Sequence, residues 1–100
     1  MLKNLDSVIN YETRLAIMSV LIKCKKIDFN HLKELTNMSS GNLSAQTKIL
    51  KEAGYITIKK EQKDNYSHTI YMLSELGEER FKIHKAAIQN YIRWTFGFFL

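Results

Sequence analysis

Proline is missing from this 100-residue sequence, and glycine occurs only four times. So little punctuation argues against a loop-rich chain and for helices with short connections. Cysteine occurs once, at Cys24, which excludes an internal disulfide or a cysteine-built zinc cluster within one chain and suits a reducing compartment. Its expected role is a small buried filler. No stretch reaches the roughly 20 apolar residues that span a bilayer, and the N-terminus carries no apolar run beside a small-residue cleavage site. A cytoplasmic protein without a membrane partner is expected. Catalytic signatures are missing too: no Gly-rich phosphate loop, no His-Glu pair at metal spacing and no nucleophile motif. His31, His68 and His84 are too scattered for a metal site, and Asp6, Glu12, Asp28 and Glu34 are spread over caps and helix surfaces. The expectation is a non-enzyme without catalytic residues, metal or cofactor.

What is present fits one domain over residues 1–100, with 45% apolar and 25% charged residues, the proportions of an ordinary globular chain. The net charge of +5 favours a polyanionic partner. The excess is spread as +2 over residues 1–38, +2 over 39–73 and +1 over 74–100, so a basic face has to be assembled by folding.

The richest stretch is Ser39 to Ile58. Ser39 or Ser40 suits an N-cap. Leu43, Leu50 and Ala53 recur at helical spacing with Thr47 on the same stripe. Gly54 suits a left-handed stop, and Tyr55 to Ile58 is a β-branched and aromatic run. The opposite face carries Asn42, Ser44, Gln46 and Lys48. These are neutral hydrogen-bonding side chains plus one cation, the types that read base edges and hold phosphates.

Taken in order, residues 4–23 are expected to form a first helix carrying Leu5, Val8, Ile9, Leu15, Met18, Leu21 and Ile22, with Asn10 marking a break or a cap. Lys26 to Phe29 is a short extended piece. Asp28 or Asn30 caps a second helix to about Thr36, with Phe29, Leu32 and Leu35 inward. Asn37-Met38 turns into the third helix, about 39–53, completing a helix-turn-helix. A strand at 55–61, a polar turn in which Asp64-Asn65 supplies the left-handed conformation, and a strand at 68–73 form a hairpin. Ser74 caps a last helix to about residue 96, where Leu76, Phe81, His84, Ala87, Ile88, Tyr91 and Ile92 line one stripe. With Trp94, Phe96, Phe98, Phe99 and Leu100, that stripe is more apolar surface than a monomer buries, which marks association.

The expected class is therefore mainly α with a small β-hairpin, in the order α-β-α-α-β-β-α. It resembles the winged-helix regulators of the MarR/ArsR-like group, the small single-domain type with a long C-terminal dimerisation helix. The residues that carry the resemblance are Arg14 to Met18, Phe29 to Lys33, Asn42-Leu43-Ser44, Leu50 to Ile56 and Leu73 to Gly77. The pattern is departed from at Thr47, where such sequences have a core leucine, and at Ile49, where they have a lysine. Either the helix is rotated slightly, or Ile49 meets a thymine methyl or a partner protein.

The resemblance implies a homodimeric, sequence-specific double-stranded DNA-binding regulator, a repressor, with helix 39–53 in the major groove and wing 55–73 on backbone or minor groove. Asn42, Ser44 and Gln46 are the expected base readers. Ser39, Ser40 and Lys48 are expected on phosphate, with Lys59, Lys60, Lys63 and Asn65 on the wing. The terminal helices at 4–23 and 74–96 are expected to form the dimer face through Leu5, Val8, Ile9, Phe81, His84, Ala87, Ile88, Tyr91, Ile92, Trp94 and Phe98. A small-molecule effector is left open. The rival reading is a winged-helix module that binds protein and not DNA, through an exposed Ile49 and Tyr55.

Overall fold

The computed structural model describes residues 2–99, excluding the side chains of residues 95, 96, 98 and 99. Four helices and three strands follow as α1 (Glu12–Cys24), β1 (Lys26–Asp28), α2 (Phe29–Thr36), α3 (Ser40–Glu52), β2 (Ile56–Lys63), β3 (Tyr66–Leu73) and α4 (Glu75–Phe99). This is the expected order.

The first helix starts later than its apolar spacing predicts. Asp6 takes the amides of Val8 and Ile9 onto its Oδ1, at 2.9 and 3.2 Å. That side chain competes with helical backbone bonding and holds the segment as a turn. Helix α1 then ends at Lys25, whose φ of 68° turns the chain into β1. The expected filler Cys24 is exposed there.

Asp28 caps α2 by accepting from the His31 amide at 2.8 Å. Asn37 stops α2 in the left-handed region, at φ 56° and ψ 29°. Leu32 is fully buried, but Leu35, expected inward, is 66% exposed. It stands beside Val20 and Cys24 on the rim of a shallow groove.

The sheet is antiparallel with the order β1-β3-β2. Strand β3 pairs with β1, Ile27 opposite Tyr71, and with β2, Ile56 opposite Leu73. Asp64 and Asn65, at φ 51° and 65°, form the two-residue turn between Lys63 and Tyr66. Two successive left-handed residues make the turn whose twist matches a hairpin.

The core joins Ile9, Ile17, Met18, Leu21, Leu32, Leu43, Leu50, Ile56, Tyr71 and Phe81. Helix α4 is fastened at its base. The Ser74 hydroxyl accepts from the Gly77 amide at 2.9 Å and donates to the Gly54 carbonyl at 2.6 Å. The Ser74 amide donates to the Tyr55 carbonyl at 3.0 Å. Beyond its base the helix runs out of the domain, giving an extent of 59 × 25 × 20 Å. No described helix is long and apolar enough to cross a membrane.

Candidate nucleic-acid interface

Helix α3 is positioned by its apolar stripe. Leu43, Thr47 and Leu50 are buried. Thr47 occupies the core position where a leucine is usual, and its hydroxyl donates to the Leu43 carbonyl at 2.8 Å. Satisfied in this way, a threonine hydroxyl can be buried in the core. Ile49 therefore points outward and is 38% exposed. Ser39, not Ser40, is the N-cap, its oxygen accepting from the Asn42 amide at 3.2 Å.

This leaves an exposed polar ridge with two flanks: Ser40, Ser44 and Lys48, each four residues apart, lie along one, and Asn42 with the half-buried Gln46 lies along the other. Gln46 is held from another helix. Arg14 Nη1 on α1 donates to Gln46 Oε1 at 2.8 Å, and Gln46 Nε2 donates to Asn42 Oδ1 at 3.2 Å. Arg14 is itself fixed, with Nε donating to the Val8 carbonyl at 2.6 Å and the guanidinium carbon 4.3 Å from the centre of the Tyr11 ring. Sequence reasoning noticed Arg14 only as part of a family pattern. Its partner lies 32 positions away, a separation that helical periodicity does not reach.

The wing lysines divide between two faces, because side chains alternate along a strand. Lys59 and Lys63 share the face of Thr57, while Lys60 lies on the other with Ile58. Lys59 pairs with Glu61 at 3.3 Å, and Lys63 stands opposite Tyr66 at the tip. Tyr66, 70% exposed, adds an aromatic ring that sequence reasoning did not assign to the wing surface. Asn65 lies in the tip turn.

Behind the ridge is a buried polar cluster. Asp6 Oδ2 accepts from the Tyr55 hydroxyl at 2.5 Å and from Arg80 Nε at 3.1 Å. Burial raises the Asp6 carboxyl, but donation by Tyr55, the Ile9 amide, Arg80 and the Val8 amide outweighs it and leaves the group below its ordinary value. Burial, then the bond to Asp6, pushes the Tyr55 phenol up. The Asp6 amide donates to His84 Nδ1 at 2.9 Å, which places the His84 proton on a buried Nε2 that has no partner among the described residues. Burial pulls His84 below its ordinary range, partly offset by the Asp6 charge.

Of the residues expected at a dimer face, Ile9, Phe81, His84 and Ala87 are enclosed within one chain. Their stripe is covered by the chain's own N-terminal segment, and Tyr91 donates its hydroxyl to the Leu2 carbonyl at 2.9 Å. Leu5, Val8 and Ile88 are half-buried. Ile92 and Trp94 face outward, at 64% and 47% exposure. The side chain of Phe98 lies outside the described residues. Among the described residues no group of three or more His, Cys, Asp or Glu is placed to hold a metal ion.

A family model described as a winged helix DNA-binding domain matches residues 13–92. The chain belongs to that winged-helix family. An uncharacterized protein of Methanocaldococcus jannaschii is 32% identical over 75 residues, 75% of this chain and 82% of that protein. Among solved structures, a transcriptional regulator homologue from Pyrococcus horikoshii superposes with a TM-score of 0.84 at 22% identity, covering 88% of this chain and 87% of that one. Reduced AbfR bound to DNA gives a TM-score of 0.71 at 20% identity. There 80% of this winged helix covers only 55% of the longer AbfR chain. The fold is that of the winged-helix transcriptional regulators.

Proposed function

We propose that this winged helix is a cytoplasmic transcriptional regulator that binds double-stranded DNA in a sequence-specific manner as a homodimer, and that it represses by occupying promoter DNA. The observation that carries this reading is the outward polar ridge of α3, capped at Ser39 and free of acidic residues from Ser40 to Lys51. A helix N-terminus with free amides attracts phosphate, and amide and hydroxyl side chains in the first turns meet base edges. AbfR, which shares the fold, has been solved bound to DNA. The exposed Ile92 and Trp94 on α4 supply apolar surface for a second copy. Two ridges would then enter successive major grooves about 34 Å apart.

Fluorescence anisotropy with a random duplex at two salt concentrations tests the reading. Binding should weaken steeply as salt rises, because each neutralised phosphate contributes a slope of about 0.9. Binding that is absent, or indifferent to salt, would sink it. The rival protein-binding module has lost half of its proposed patch, since Tyr55 is buried with its hydroxyl on Asp6.

A further inference from the structure

The way Asn42 is held carries the DNA-binding reading one step further, to the choice of base, and this step depends on that reading. Arginine has donors and no acceptor. The Gln46 side-chain oxygen must therefore face Arg14, as it does at 2.8 Å. That turns the Gln46 NH2 toward Asn42, which has to answer with its own oxygen, at 3.2 Å. The group left facing out from the first turn of α3 is the Asn42 NH2. We infer that Arg14 and Gln46 are positioning residues that fix Asn42 as a hydrogen-bond donor, so that this part of the ridge selects base edges that present acceptors, guanine foremost.

Guanine offers two acceptors in the major groove, and cytosine offers only a donor there. Bidentate reading of adenine needs the amide oxygen and NH2 together, with the oxygen free to accept. In this chain the Asn42 oxygen is turned toward Gln46. Gln46 is likewise occupied at both ends of its amide, so its task is to orient Asn42 and not to read a base itself. The anchoring of Arg14 on the Val8 carbonyl and over the Tyr11 ring keeps the donor that starts the relay in place.

The test uses the full chain and three proteins: the native sequence, Asn42→Ala and Gln46→Glu. Duplexes are selected from a random pool with each, and the selected sites are titrated against all three by anisotropy. Gln46→Glu still accepts from Arg14, but a carboxylate cannot donate to Asn42. Asn42 then turns its NH2 inward and shows its oxygen. The new charge weakens binding to all sequences alike, so the readout is the ratio between bases at one position of each half-site. The native protein should prefer guanine there, and Gln46→Glu should prefer cytosine or adenine. The guanine-to-cytosine ratio should swing by roughly 5- to 150-fold, the range of a good base contact. Asn42→Ala should level that position. Position 46 is at the surface edge and unchanged circular dichroism would show an intact fold. The same base preference in all three proteins would overturn the relay alone. Failure of the native protein to bind any duplex with salt dependence would overturn the DNA-binding reading and the relay with it.

Discussion

Asp6 shows how much a single side chain can organise. It shapes the turn before α1, receives Tyr55 from the start of the wing and Arg80 from α4, and lies beside His84. Asp6→Asn keeps an oxygen for the turn but removes the charge that Tyr55 and Arg80 meet. It should destabilise the fold by about 1.5–3 kcal/mol, as for a hydrogen bond to a buried charged group, measured by denaturant unfolding. His84 sets the first response to acid. Its folded value lies below the ordinary 6.5, so the folded state resists a proton that the unfolded state accepts. The stability it supports is present above 6.5 and is lost as pH falls through that value toward the folded one. Asp6, held below its ordinary 3.8, adds a second loss at lower pH by the same sign. The melting temperature should fall as pH drops from 7 toward 5, and His84→Gln should flatten that part of the curve. An unchanged profile would show that His84 does not titrate against folding. None of this cluster was legible in the sequence, because Asp6 and His84 are 78 positions apart and neither apolar stripes nor caps report such a pairing.

At the scale of elements, the sequence carried most of the order. Ser39, Asp28, Gly54 and the Asp64-Asn65 turn each work locally, through a hydroxyl, a carboxylate or a left-handed backbone, so each is visible within four residues. The late start of α1 was legible only as a break expected at Asn10, since apolar spacing does not report the local bonds of Asp6 to the Val8 and Ile9 amides. The pairing of β1 with β3 depends on partners far along the chain and was not visible. Gly77 belongs to the second kind. A Cβ built there would lie 2.0 Å from the Tyr55 carbonyl oxygen, and a backbone atom cannot step aside. Gly77→Ala should cost at least about 1–3 kcal/mol, the usual range for overpacking, and should loosen the seat of α4; thermal unfolding checks it. The wing makes a different prediction. Lys63 stands at the exposed tip beside Tyr66, whereas Lys59 is engaged by Glu61. Lys63→Ala should weaken binding to all duplexes alike and lower the salt slope by about one. Lys59→Ala should change it less, and equal effects would remove the distinction between them.

For the whole molecule, the radius of gyration of 15.4 Å exceeds the ~13 Å of a compact chain of this length. The excess comes from α4, whose 25 residues make a rod of about 37 Å. The apolar tail legible in the sequence divides in the fold, its inner half covered by the chain's own N-terminal segment and Ile92 left outside. A solution mass near twice 11.7 kDa is expected, and Ile92→Glu should shift it toward one copy without unfolding it. A native protein of single mass would remove the dimer.

The seat of α4 has a mechanical consequence. Ser74 and Gly77 clasp Gly54 and Tyr55, the two residues that close α3 and open the wing. On the proposed reading, the long rod would act as a tiller on the rudder that enters the groove. A grip on its far end that changed its pitch would reach α3 through this clasp, without approaching the nucleic acid at all.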